Sequence, residues 1–195
     1  MDRLEKQMRF ALEMDKQKGV GRQTYILDAL RKENDAEHGW HLAVMTMLLS
    51  EYANESIDVS RTVAMVIMHD VIEIDAGDTY AYDNVANETK RERELIAADR
   101  IFSILPKEQE EYFRGLWDEF EENVTMEAKF AHTMDSVQPI MLNDASFGRA
   151  WREHGVYASQ VRSRVENKIR PGSEKLYEWA MGIVDKNVEA GNLKA

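Results

Sequence analysis

The sequence contains no cysteine, and that absence removes disulfides, thiolate nucleophiles and cysteine-liganded zinc together. Any metal site must be built from His, Asp and Glu, whose nitrogen and oxygen donors suit Mn, Fe, Co, Ni, Zn or Mg. Proline is scarce, with Pro106, Pro139 and Pro171 the only three. No apolar run approaches the roughly 20 residues that span a bilayer. The amino-terminal MDRLEKQMRFALEMDKQ alternates charged and apolar residues, unlike a signal peptide or anchor. These features predict a cytoplasmic protein with no membrane partner. Basic residues are in deficit: 25 Lys and Arg against 36 Asp and Glu give a net charge of −11. No Lys/Arg cluster tracks a phosphate backbone, which argues against a long nucleic acid. A small anionic substrate stays open, because a bound cation and one or two Arg reverse the field inside a cleft.

What is present is helical. With 195 residues, 44% apolar and 31% charged, the chain suits one globular domain over 1–195. Apolar residues recur at helical spacing nearly throughout, and strand signals are few. The pattern predicts helices over about 2–18, 37–53, from Asp58 or Ser60 into His69, 88–104 and 106–121. Another opens at Thr125 and carries Asp135, and two more lie within about 149–190. Residues 22–35 read as irregular. Pro139 should kink or end its helix. The fold class is all-α, a single-domain helical bundle, with the Met and Trp residues taken as core.

Chemistry concentrates in three places. His69-Asp70 ends the apolar segment VAMVIM, where packing asks for no polar pair and burial is costly unless the groups are paired or metal-bound. His38 opens an apolar helix, and Asp135 is a lone carboxylate in AKFAHTMDSVQPIML. Two imidazoles and two carboxylates from three helices give four ligands to one divalent ion, and an octahedral ion would keep two open positions for water and substrate. The alternative is a set of unrelated polar residues.

The phrases RKENDAEH (31–38), MHDVIE (68–73) with Gly77-Asp78, and EAKFAHTMD (127–135) resemble the ordered His…His-Asp…Asp signature of the HD-domain phosphohydrolases. More narrowly, they resemble the 5′-deoxynucleotidase branch, over about 22–145. The resemblance implies that His38, His69, Asp70 and Asp135 hold the metal, and that Glu73 is the catalytic acid/base or orients the water. Asp78 would be a second functional carboxylate; a turn or N-cap residue is the other reading. Arg22 and Tyr25 correspond to the family's phosphate-binding Arg and following aromatic, although the usual aromatic is Trp. Arg31 or Lys129 would add charge, and His132, where relatives carry Lys, would line the pocket. Two-metal relatives draw extra His ligands from between the HD pair and the last Asp. None lies between His69 and His132, so a mononuclear site is expected. His41 reads as a packing imidazole and His154 as a surface residue. Relatives of this branch often pair, so a homodimer is expected too.

The implied reaction is hydrolysis of a (deoxy)nucleoside 5′-monophosphate. Pyrophosphate cleavage from a guanosine tetraphosphate alarmone and triphosphohydrolysis of deoxynucleoside triphosphates are rivals. So is a non-catalytic nucleotide-binding or scaffolding role. The segment from about 149 to 195 has no assigned function beyond helical packing.

Overall fold

The computed structural model of the chain describes residues 2–77 and 90–195, with the Lys90 side chain left aside. Helix α1, Arg3–Met14, opens on a reciprocal cap. Asp2 Oδ1 accepts from the Glu5 amide at 2.8 Å, and Glu5 Oε2 accepts from the Asp2 amide at 2.9 Å. Such a cap contributes about 1 kcal/mol. The helix gives way to a 3-10 turn over Asp15–Gly19.

The stretch that reads as irregular forms an antiparallel hairpin. Strand β1, Gly21–Tyr25, pairs with β2, Lys32–Asn34, with Gly21 opposite Asn34 and Tyr25 opposite Lys32. Its strands turn Glu33 and Thr24 inward, so the apolar alternation that announces a strand is absent. The hairpin ends directly in helix α2, Asp35–Leu49. There Asn34 Oδ1 accepts from the Glu37 amide at 3.0 Å and Glu37 Oε2 accepts from the Asn34 amide at 3.1 Å. That cap fixes the first turn, which carries His38.

Helix α3, Val59–Met68, is capped by Asp58, whose Oδ1 accepts from the Arg61 amide at 2.9 Å. A short helix, α4, follows at Glu73–Ala76. Helix α5 covers Lys90–Phe102, and α6 covers Lys107–Glu122 immediately after Pro106. Helix α7, Met126–Ala145, starts where Thr125 Oγ1 accepts from the Ala128 amide at 3.2 Å. Of the two outcomes expected at Pro139, a kink or a stop, the stop does not occur, because the helix continues through it to Ala145. Pro139 has no amide to offer the carbonyl four residues back, which is that of Asp135. Helix α8 is Arg149–His154, and α9, Ala158–Arg164, passes into a π-turn over Val165–Ile169. Helix α10 is Glu174–Glu189. The architecture is all-α, as the periodicity predicts.

Two buried clusters hold these helices. One joins α2, α3, α7, α9, the π-turn and α10 through Leu42, Met65, Phe130, Met134, Val161 and Val184. The other packs Phe10, Met68, Ile101, Phe102, Leu116 and Trp117. Helix α3 feeds both, so His69-Asp70 leaves it where the clusters meet. Not every large apolar residue is core as expected: Trp40, Met47 and Trp179 are exposed.

The C-terminal segment is keyed to α7 at Gly172. A Cβ there would meet Thr133 Oγ1 and lie 2.5 Å from the Lys129 carbonyl oxygen. Gly172→Ala should therefore cost about 1–3 kcal/mol, the usual range for overpacking. Calorimetry should show Tm lowered by roughly 2–12 °C, given about 2–4 °C per kcal/mol at this chain length.

Candidate metal centre

His38, from the first turn of α2, is fully buried. Its Nε2 lies 3.3 Å from Asp135 Oδ1 and 3.8 Å from Asp70 Oδ2. His69 follows α3, and its Nε2 lies 3.0 Å from Asp70 Oδ1 and 3.8 Å from Asp135 Oδ1. The structure thus brings together all four residues expected as ligands. Atoms at right angles around an ion with bonds of about 2.1 Å lie about 3 Å apart, close to the shortest of these separations.

Two further observations fit a cation. His69 Nδ1 donates to the Val66 carbonyl at 2.8 Å, which leaves Nε2 bare and turned inward, the tautomer a metal ligand needs. That buried Nε2 makes no hydrogen bond among the described residues. The electrostatics agree. Burial opposes ionisation of Asp70, yet the His69, Arg22 and His38 charges hold its carboxyl below the ordinary range. Burial likewise opposes ionisation of Asp135, but the adjacent imidazoles of His38 and His69 and the Arg164 charge hold it well below that range. Burial should depress both histidines, and it is overcome. The Asp70 charge with Asp135 raises His69 well above its usual value. Hydrogen bonds to Asp135 and Glu33 raise His38, against burial and the Arg22 charge. The pocket favours positive charge between two ionised carboxylates.

Around the cluster, Glu73 is buried at the start of α4. Its carboxylate lies within 4.8 Å of ligand atoms of Asp35 and Asp70. Arg22 reaches in from β1: its Nη1 donates to Asp70 Oδ2 at 2.8 Å and to Asp35 Oδ1 at 3.3 Å. Its Nε lies 3.5 Å from Glu33 Oε1. Glu33 also sits 3.5 Å from His38 Nδ1 and accepts from Gln138 Nε2 at 2.7 Å. Glu33 and Asp35 belong to the RKENDAEH phrase, yet nothing in their spacing announces that both turn inward.

The other expected site residues are placed differently. Tyr25 is buried, with its hydroxyl donating to Glu153 at 2.9 Å. Lys129 is partly buried on α7, with no described contact from its ammonium to the cluster. Arg31 pairs with Glu37 at 2.6 Å on the surface. His41 is half-buried, 3.4 Å from Gln138 Nε2, and exposed His154 meets Gln23 at 3.2 Å. Asp78 lies outside the described residues. One residue was missed altogether: Arg164, at the end of α9, donates through Nη2 to Asp135 Oδ2 at 3.2 Å. It stands 29 residues beyond its partner, in a segment with no motif to mark it.

The HD domain family model matches residues 14–177. The chain belongs to the HD domain family. It is 30% identical over 125 residues to 5′-deoxynucleotidase HDDC2 of Xenopus laevis, covering 64% of this chain and 61% of that one. It is 31% identical over 111 residues to 5′-deoxynucleotidase HDDC2 of Homo sapiens, covering 57% of this chain and 53% of that one. The chain thus spans just over half the length of these curated relatives. The crystal structure of a "predicted metal-dependent phosphohydrolase" from Magnetospirillum magnetotacticum superposes with a TM-score of 0.94 at 42% identity. That match covers 99% of this chain and 96% of that one.

His132 lies behind the cluster. It is buried and stacked on Phe120 at 3.9 Å between centroids, and its Nε2 meets the Phe120 carbonyl at 2.9 Å. Phe120 in turn faces the His69 ring at 4.9 Å. His132 therefore backs His69 in the packing rather than presenting a free edge to a ligand. Burial and the Lys168 charge push it down to about 4, below the unfolded value of about 6.5. A folded state that refuses a proton loses stability as pH falls below the unfolded pKa, and the loss ends near the folded one. His132 should thus contribute up to about 3 kcal/mol of destabilisation between about pH 6.5 and 4. Urea unfolding of His132→Gln should show a shallower decline across that window than the parent protein.

Proposed function

We propose that this protein is a 5′-deoxynucleotidase that uses one divalent ion to hydrolyse (deoxy)nucleoside 5′-monophosphates to nucleoside and phosphate. The observation that carries the reading is the convergence of His38, His69, Asp70 and Asp135, with the buried carboxylate of Glu73 beside Asp70. The names of the HDDC2 relatives support the substrate class.

His38, His69, Asp70 and Asp135 would hold the ion. When bound, a divalent ion neutralises phosphoryl charge and acidifies water. The chain's own groups do the rest. Arg22 keeps Asp70 ionised and fixed in direction. Glu73 accepts the proton of the attacking water and returns it to the nucleoside 5′-oxygen as the P–O5′ bond breaks, so no charged alkoxide has to leave. Glu33 and Gln138 restrain the far side of His38, which preserves the aim of its Nε2. Asp78 belongs to the same reading as a carboxylate near the sugar.

Cytoplasmic location and a homodimer are part of the proposal. Trp40, Val44, Met47 and Leu48 form an exposed, uncharged stripe on α2, a surface that suits self-association of a chain of net charge −11.

Phosphate release should be measured on nucleoside mono-, di- and triphosphates with Mg, Mn, Co and Zn in turn. Release confined to 5′-monophosphates, lost with chelator and in Asp70→Ala, is expected. Glu73→Gln should lower kcat by roughly 10²–10⁴-fold, the usual worth of a positioned acid/base, with metal binding retained. Release of pyrophosphate or tripolyphosphate would select the rival hydrolases. Activity in Asp70→Ala would overturn the mechanism.

A further inference from the structure

We propose that Arg164 is the substrate-binding cation of this site, receiving a non-bridging phosphoryl oxygen alongside Asp135. The proposal rests on the monophosphate reading above. It assigns a role to the C-terminal helices, for which the sequence offers none.

The two arginines at the cluster are not equivalent. Arg22 faces the carboxylates of Asp70, Asp35 and Glu33, and its side chain is 13% exposed. Arg164 has Asp135 as its sole partner among the described residues, through Nη2 at 3.2 Å, and its side chain is 25% exposed. A guanidinium carries five N–H donors in a planar fork. Arg22 is committed to holding protein carboxylates, whereas most of the Arg164 fork is left over. The histidines of the cluster are buried, while Asp70 and Asp135 reach solvent at 14% and 16%. The solvent-reached edge of the cluster is therefore carried by these two carboxylate–guanidinium pairs. Arg164 is the one with donors to give a phosphate, the geometry that suits Arg to bidentate oxyanion recognition.

Arg164 is also held in place by more than this one contact. It is the last residue of α9, and the π-turn begins at the next one, with the Arg170 amide donating to the Val165 carbonyl at 3.2 Å. Such turns recur at functional sites because they re-aim side chains without breaking the helix. Here Val161, Val165 and Ile169 all stay buried on the side facing α7. Thr133 Oγ1 contacts the Lys168 and Ile169 carbonyls at 3.3 and 3.0 Å. Gly172 then allows the closest approach to α7. The pinning point is two residues from Asp135, so the register of Arg164 against that carboxylate is fixed.

The test compares the parent protein with Arg164→Gln and Arg164→Lys. Mn²⁺ is titrated into metal-free protein, and inorganic phosphate into the Mn²⁺-loaded form, both by calorimetry. KM and kcat follow on a monophosphate that the parent hydrolyses. Expected for Arg164→Gln are Mn²⁺ affinity within threefold of the parent, phosphate affinity weakened at least tenfold and KM raised at least tenfold. Arg164→Lys should recover part of both losses. Unchanged phosphate affinity in Arg164→Gln would overturn the proposal. So would an equal fall in Mn²⁺ and phosphate affinity, since Arg164 would then only brace Asp135. If the parent hydrolyses no monophosphate, the nucleotidase reading fails, while the phosphate titrations still decide the role of Arg164.

Discussion

Two half-buried carboxylates, Asp70 and Asp135, point at the same pair of imidazoles, and the surroundings are organised to keep both ionised. Like charges this close in a low-dielectric setting repel strongly unless positive charge lies between or beside them. The chain supplies the outer part of that charge itself, with one guanidinium behind each carboxylate. One carboxylate, Glu33, itself held by the Gln138 amide, sits at the far side of His38, and a backbone carbonyl holds His69. At the centre the carboxylates hold both imidazoles toward protonation, and that preference for positive charge is what suits the same four groups to a cation.

The scaffold follows from this requirement. Helix α3 serves both apolar clusters and delivers His69-Asp70 at their junction, where the backbone is least free to yield. Helix α7 presents Asp135 from a twenty-residue rod, stiff enough to resist the pull of neighbouring charges. The hairpin is small, but without it Arg22 and Glu33 would have no fixed route to the start of α2.

Much of this was legible in the sequence because a buried polar residue in an apolar helical run stands out. His38, His69, Asp70 and Asp135 each break a pattern, and the cap residues Asp58 and Thr125 announce their helices by type and place. The hairpin was not legible, since buried Glu33 and the adjacent buried pair Thr24-Tyr25 give no apolar alternation and mimic a loop. Arg164 was hidden for the opposite reason: an Arg on a charged helix looks like any solvated side chain until tertiary packing sets it against Asp135. His132 misled because its spacing from Asp135, one helical turn, suggests a shared face. The aromatic ring of Phe120 claims it instead. Pro139 does not end its helix, since a long helix held on both sides tolerates a missing amide that an isolated one would not.

The reach of the ion pairs also bears on how the chain acquires its site. The contacts that close the cluster span 97 residues from His38 to Asp135, 48 from Arg22 to Asp70 and 29 from Asp135 to Arg164. Local helices form early and cheaply, whereas loops of this length close late because their entropy is lost before any contact repays it. During synthesis from the amino terminus, all four residues of the His-Asp cluster emerge before the segment that steadies the last of them. A ribosome-bound chain thus passes through a stage with the cluster residues made and Asp135 still unbraced, and the cluster is complete only when the carboxy-terminal helices dock.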